Sequence, residues 1–167
     1  PDHPRVPEAR LAAAEAALIG PSPDLSFAKA QLETLAADPE KSASLNPSRI
    51  ALTRLRVEDL AKDHPAAIAS ARSILEKHLG EPAANEAALI LGRNLFQTGS
   101  YNEASLVFKN LAAADTDTAR AETAWLLAAR AATLVRTSQS QQEALTLFDK
   151  VIDAKGPVSS LAKLEKA

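Results

Sequence analysis

Residues 91–104 read Leu-Gly-Arg-Asn-Leu-Phe-Gln-Thr-Gly-Ser-Tyr-Asn-Glu-Ala, and they predict two helices joined by a tight turn. The first helical pattern ends at Gly99, a residue that enters turn conformations at little steric cost. In the second pattern Tyr101, Ala104 and Phe108 recur at offsets of three and four, which places them on one helical face. The stretch therefore predicts a helical hairpin.

The same spacing recurs along the chain: a larger residue, Ala three positions later, a large apolar residue four after that, and another apolar residue three further on. The Ala marks the expected point of closest helix crossing. One hairpin cannot bury this face, so we expect hairpins to stack into a continuous core. The second copy departs from the pattern at its last position and the fourth at its first. The four copies are Leu25, Ala28, Leu32, Leu35; Ile68, Ala71, Leu75, His78; Tyr101, Ala104, Phe108, Leu111; and Gln141, Ala144, Phe148, Val151.

Pro and Gly residues punctuate the chain, and helical periodicity fills the segments between them. No segment shows the sustained alternation that is typical of a β-strand. The chain is therefore predicted to be all-α, with eight helices and the start of a ninth at Pro157. We expect one segment over 1–167, with hairpins over about 5–37, 47–79, 83–113 and 117–154 and a final helix over 157–166.

Several helix ends carry capping residues. Asn46 and Asp63 precede first-turn prolines, which predicts that both are N-caps. The stretches 100–103 and 140–143 each begin with Ser and end with Glu, the pattern of a capping box. Three glycines, Gly20, Gly80 and Gly156, are predicted to be C-terminal caps of helices. Gly92 is predicted to lie at a close contact between helices.

Neither the composition nor the motifs of this segment indicate a catalytic, metal-binding or nucleotide-binding site. The net charge is −2 and Cys is absent, so neither a nucleic-acid surface nor a thiolate metal site is indicated. The three histidines, His3, His64 and His78, lack metal-ligand spacing, and no phosphate-binding glycine loop or nucleophile elbow occurs. Acidic pairs such as Glu58-Asp59 suit a solvated helix face, and Trp125 suits a hairpin core. We predict no enzyme activity, cofactor or metal, and no bilayer-spanning segment.

Residues 91–104, followed by Phe108, closely resemble the tetratricopeptide repeat signature. Leu91 and Gly92 resemble the family's Leu-Gly pair, and Gly99, Tyr101 and Ala104 its turn glycine, second-helix aromatic and alanine. The resemblance implies an α-solenoid of about four antiparallel helical hairpins plus a C-terminal helix, wound as a right-handed superhelix. The sequence matches the family signature closely only over about residues 84–113, and the other units are degenerate.

The family resemblance also implies a concave groove that binds a partner helix or peptide. Arg93 and Phe96 are the leading candidates, because Arg and aromatic residues are enriched in binding hot spots. An alternative is that Phe96 packs against Tyr101 in the turn. Asn94 is present, but the Lys residues of the peptide-carboxylate clamp of some relatives are not, so that specificity is not transferred. The expected groove residues are Glu86, Leu89, Arg93, Phe96, Gln97, Arg130, Thr133, Arg136 and Thr137.

The two ends predict that the chain is part of a longer protein. Residues 2–9 resemble a junction between repeats in bacterial tetratricopeptide proteins, many of them in the cell envelope, and residues 158–166 resemble the first helix of a further hairpin. We therefore expect a protein-interaction scaffold, in the periplasm or cell envelope rather than the cytoplasm. Two alternatives remain open: a structural spacer that self-associates through its repeat ends, and the recognition arm of a larger enzyme or envelope assembly.

Overall fold

The computed structural model describes residues 6–167, and within them 80% of the chain is helical with no strand. This confirms the all-α prediction. Neighbouring helices pack in pairs. The ten helices of this described part are α1 (Val6–Ala17), α2 (Leu25–Ala37), α3 (Pro39–Ser42), α4 (Pro47–Leu60), α5 (His64–Lys77), α6 (Pro82–Gln97), α7 (Tyr101–Ala114), α8 (Thr118–Val135), α9 (Ser138–Ala154) and α10 (Ser159–Lys166).

The chain divides into two compact units whose boundary lies inside α6, between Ala87 and Ala88. In unit 1, α1 packs on α2 and α4 packs on both α2 and α5. In unit 2, α8 packs between α7 and α9, and α10 packs on α9. Of the predicted junction at residues 2–9, residues 6–9 belong to α1, and the rest, with His3, lies outside the described residues.

The alanines of the recurring spacing are all buried. Ala28, Ala71 and Ala104 are fully buried and Ala144 is 3% exposed, as the pattern predicted. In the second copy the register differs, because Ile74 is buried while the expected Leu75 is only half-buried. A difference of one residue rotates the face by about 100°, so the packing partner selects which of two adjacent aliphatic residues turns inward.

Capping chemistry explains several of the helix starts. The Asn46 side chain accepts hydrogen bonds from the backbone N–H groups of Ser48 and Arg49, and Asp63 accepts one from Ala66, which confirms both predicted N-caps. Asp38 accepts a hydrogen bond from the N–H of Lys41 and so starts α3, a short helix that the sequence pattern did not predict.

Two of the other capping predictions are wrong or incomplete. The N-cap of α9 is Thr137, whose side chain accepts a hydrogen bond from the N–H of Ser140, while the Ser140 hydroxyl accepts one from the N–H of Thr137. The capping box therefore lies three residues earlier than predicted. Ser100 does stand at the N-cap of α7, but its side chain makes no capping hydrogen bond.

Gly156 was expected to be a C-terminal cap, and this is also wrong. Gly20 and Gly80 have positive φ angles as expected, but after α9 it is Lys155 that adopts the left-handed conformation, with φ of 55°. Gly156 is instead a packing position, because a Cβ there would lie 1.8 Å from Oε2 of Glu122. Glu122 is only 8% exposed, and this oxygen has no hydrogen-bond partner among the described residues.

Two ion pairs each join residues that lie 34 positions apart in the sequence, on different helices. In unit 1, Arg49 donates to Glu15, 34 residues away, through two hydrogen bonds of 2.7 and 2.6 Å. In unit 2, Lys109 pairs with Glu143, also 34 residues away. Arg49 and Glu15 lie on the first helices of consecutive predicted hairpins, and Lys109 and Glu143 lie on the second helices.

Candidate functional site

Part of the predicted groove forms one pocket in unit 2. The pocket has a volume of about 370 Å³, within the range of small-ligand sites. It brings together Phe96 from α6 with Arg130 and Thr133 from α8, three residues that the groove prediction had drawn from two separate hairpins. We call it the Arg130 pocket; it is lined by Phe96, Arg130, Thr133, Leu134, Phe148 and Glu165.

The floor of the Arg130 pocket is apolar. Phe148 is 4% exposed and Leu134 is half-buried, so both belong to the packing of α8 against α9. Phe96 is half-buried, and its ring meets Tyr101 edge-on with centroids 5.4 Å apart. The alternative placement of Phe96 against Tyr101 is therefore correct. It is compatible with a role in the pocket, because the same side chain lines both places.

The polar side of the pocket is an ion pair between α8 and α10. Arg130 donates from Nε and Nη2 to the two carboxylate oxygens of Glu165, at 2.8 and 2.5 Å. These hydrogen bonds raise the pKa of Arg130 above its ordinary value, against an opposing effect of desolvation. A paired guanidinium held in one orientation provides a rigid planar donor beside an apolar floor.

Thr133 completes the lining of the Arg130 pocket. Its hydroxyl donates to the carbonyl of Ala129 at 3.0 Å, so the methyl group and one lone-pair side of the oxygen remain for a ligand. Together the lining residues suit recognition by shape and apolar contact, with Arg130 and Glu165 fixing orientation.

The remaining predicted groove residues on α6 do not line this pocket. Glu86 belongs to unit 1, where its carboxylate accepts two hydrogen bonds of 2.6 Å from Arg56 on α4. Leu89 is half-buried, while Arg93 and Gln97 are exposed on α6.

Arg136 and Thr137 lie in the turn between α8 and α9. Arg136 is the C-cap of α8 and has a left-handed backbone, with φ of 61°. Thr137 caps α9, so its hydroxyl is engaged with Ser140. Both residues have a structural role at the helix ends, and neither lines the Arg130 pocket.

Sequence reasoning missed Glu165, Leu134 and Phe148 as members of the pocket. Phe148 was assigned to the core from its place in the recurring spacing, which is where most of its surface lies. Glu165 carried a usable signal: it follows Arg130 by 35 residues, close to the 34-residue unit of the family that the chain resembles. A search for opposite charges at the repeat length would have found this pair.

His64, His78 and Trp125 do not line the Arg130 pocket. His78 is the C-cap of α5, with Nδ1 2.9 Å from the carboxylate of Glu81, and His64 is the first residue of α5. Trp125 is half-buried, and the ammonium of Lys150 lies 3.4 Å from its ring centroid. Residues 6–167 contain no group of three His, Asp or Glu side chains arranged to hold a metal, and none of their helices is long and apolar enough to cross a bilayer.

Comparisons with known proteins add no relative: no protein-family model, curated protein or solved structure matches the chain. The tetratricopeptide resemblance therefore remains a prediction that rests on residues 91–104 and the recurring alanine spacing.

Proposed function

We propose that this chain is a protein-interaction scaffold, part of a tetratricopeptide-like solenoid, which binds a partner helix or extended peptide through the Arg130 pocket. The observation that carries the proposal is the meeting of Phe96, Arg130 and Thr133 in one pocket. An aromatic ring and a guanidinium at the mouth of an apolar pocket are the residue types that dominate binding energy in protein interfaces.

The occupant would insert an apolar side chain against Phe96 and Phe148. The Arg130–Glu165 pair would then contact backbone or polar groups of the partner, and no covalent chemistry is involved. The repeat-length ion pairs support the solenoid part of the proposal, because pairs 34 or 35 residues apart recur in both units.

The test is a selection from a displayed peptide library against the full chain, followed by calorimetric titration of the selected peptides. We expect Phe96→Ala and Arg130→Ala each to weaken binding by about tenfold or more. Thr133→Trp would fill the pocket without removing a packed side chain and should abolish binding. Thermal denaturation of each variant checks that it is folded.

Two matched controls separate the pocket from general surface effects. Phe27→Ala removes an exposed aromatic ring in unit 1, and Arg120→Ala removes an ion-paired arginine at the start of α8. Both should bind as the wild type does. If the selected peptides bind all three pocket variants as well as wild type, the assignment of the Arg130 pocket is refuted. If no peptide is selected at all, the spacer alternative becomes the better account.

A further inference from the structure

A second cleft, in unit 1, shares no residue with the Arg130 pocket. It lies where α2 packs on α4, is closed at one end by the first turn of α5, and has a volume of about 430 Å³. We call it the Glu58 cleft; its principal lining residues are Lys29, Leu32, Arg54, Val57, Glu58 and Ala61.

The floor of the Glu58 cleft is apolar. Leu32 and Val57 are buried side chains of α2 and α4, and Ala61 leaves room above them because its side chain is a single methyl group. A linear aliphatic chain can lie along such a floor with its polar end elsewhere, as the stems of lysine and arginine do on protein surfaces.

The carboxylate of Glu58 gives this cleft its chemical preference. Its Oε2 atom is shielded from solvent and has no hydrogen-bond partner among the described residues. A buried carboxylate oxygen without a donor is costly, and the cost is relieved by a cation that hydrogen-bonds to it. Because the charge is shared by both oxygens, an ammonium or guanidinium beside either oxygen would stabilise the group.

The basic side chains that line the cleft do not hydrogen-bond to Oε2 of Glu58. Lys29 and Arg54 line its exposed edge, and within residues 6–167 neither forms an ion pair. Arg54 stands one helical turn before Glu58, yet pairs at that spacing on an exposed helix are weak. Of the other acidic groups, Asp63 is occupied as the N-cap of α5, and Glu33 lies one turn after Lys29 on α2.

We propose that the Glu58 cleft binds the lysine or arginine side chain of an extended partner segment in which the residues two positions before and after that side chain are acidic. The stem of the basic side chain lies on Leu32 and Val57, and its cation pairs with Glu58. These carboxylates lie on the same face of an extended segment as the basic side chain, and they meet Lys29 and Arg54. The inference rests on the proposed function, since it takes the partner to be a protein, but it uses a different surface.

The test uses the full chain and short acetylated, amidated peptides of sequence Glu-Ala-Lys-Ala-Glu, which put all three charged side chains on one face of an extended segment. Binding is measured by calorimetry, and the contact surface is mapped from amide chemical shifts in NMR titrations. We expect a dissociation constant tighter than about 1 mM, with shifts in α2 and α4. A peptide with norleucine in place of lysine keeps the stem and removes the charge, and it should bind about tenfold more weakly, whereas an arginine peptide should bind comparably.

Variants of the chain locate the contact. Glu58→Gln should weaken the lysine peptide about tenfold and leave the norleucine peptide unchanged. Ala61→Leu fills the cleft and should weaken both peptides, and it serves as a second variant if Glu58→Gln loses stability. Glu76→Gln, an exposed change on α5 outside the cleft, is the matched control and should bind as wild type does.

Three results would each overturn the inference: no binding of the lysine peptide by wild type, equal binding of the lysine and norleucine peptides, or full affinity in Glu58→Gln. Failure here is distinguishable from failure of the proposed function, because the Phe96 and Arg130 variants leave the Glu58 cleft intact. If the Phe96 and Arg130 variants bind the selected peptides more weakly, while wild type binds the lysine and norleucine peptides equally, the proposed function stands and only this inference fails.

Discussion

Gly92 shows how one missing side chain sets the distance between two helices. The residue lies on α6, and a Cβ at its position would come within 2.4 Å of the Phe108 ring on α7. Phe108 is 1% exposed and is among the largest fully buried side chains of the described chain. The prediction of Gly92 as a close-contact site is confirmed, and the recurring aromatic position after Ala104 is its partner.

We expect Gly92→Ala to lower the free energy of unfolding by about 1–2 kcal/mol. Overpacking a core costs about 1–3 kcal/mol, while replacing Gly by Ala inside a helix recovers up to about 1 kcal/mol. Chemical denaturation measures the change. The matched test is the double variant Gly92→Ala/Phe108→Leu, whose smaller side chain makes room. Strictly additive losses in the double variant would show that the two residues do not compete for the same space.

Helix ends provide a comparison between two capping positions in unit 2. Thr137 makes the reciprocal capping bonds of α9, whereas Ser100 stands at the same position of α7 without a side-chain bond. The residue type alone did not distinguish them, since both carry a hydroxyl. The two N-cap backbones differ, because Thr137 is extended with ψ of 154°, whereas Ser100 has ψ of 56°.

We therefore expect Thr137→Ala to destabilise the chain by about 1 kcal/mol and Ser100→Ala to have an effect within about 0.5 kcal/mol. Thermal and urea denaturation of both variants give the comparison. Equal losses in the two variants would contradict the assignment of the cap to Thr137 alone.

The ion pair between α1 and α4 predicts how stability depends on pH. Hydrogen bonds from Arg49 lower the pKa of Glu15 below its usual value, and desolvation opposes them only in part. A carboxyl group with a lowered folded-state pKa stabilises the fold above its unfolded pKa of about 4.3, and this contribution is lost as pH falls through the folded value.

We expect Arg49→Gln to cost of the order of 1 kcal/mol at pH 7 and less as the pH falls through the folded-state pKa of Glu15, because the wild type then loses the same ion pair. Urea unfolding across this pH range measures the difference. Arg54→Gln, on the same helix but without an ion pair in the described residues, should keep the wild-type pH dependence. A loss in Arg49→Gln that is constant with pH would mean that packing, and not charge, explains it.

At the scale of the whole molecule, each unit is stabilised by contacts between helices that are near one another in the sequence. The contacts of α1 and α2 lie in unit 1, and those of α8, α9 and α10 in unit 2. Because these contacts join helices that are near one another in the sequence, we expect a deletion at one end of the chain to have local consequences.

Deleting residues 156–167 should therefore accelerate amide hydrogen exchange in α8 and α9 while leaving α1 and α2 unchanged. The deletion removes Ala162, which is fully buried, and the Glu165 partner of Arg130. Glu165→Gln in the full chain separates loss of the ion pair from loss of packing and should have the smaller effect. Uniform acceleration from α1 to α9 would show instead that the chain unfolds as one cooperative unit.

Three of the six residues that line the Arg130 pocket were predicted from the sequence. The resemblance of residues 91–104 to the tetratricopeptide signature implied that Phe96 lies on an inner face, and the looser fourth unit added Arg130 and Thr133. Both predictions carried the family's inner-face positions onto one hairpin at a time. Glu165 and Leu134 were missed because their place depends on how α10 packs on α9 and how α8 is rotated, neither of which is a local property.

The amino-acid sequence by itself determined that this protein is helical, where most helices begin, and which alanines of the recurring spacing are buried. These features follow from interactions within four residues: backbone hydrogen bonds, capping side chains and the 3.6-residue period. Only the tertiary structure decided that Ile74 rather than Leu75 is buried, that Gly156 makes room for Glu122, and that Oε2 of Glu58 is buried without a hydrogen-bond partner among the described residues. These outcomes depend on helix rotation and on contacts between helices, where a shift of one residue changes the neighbour that each side chain meets.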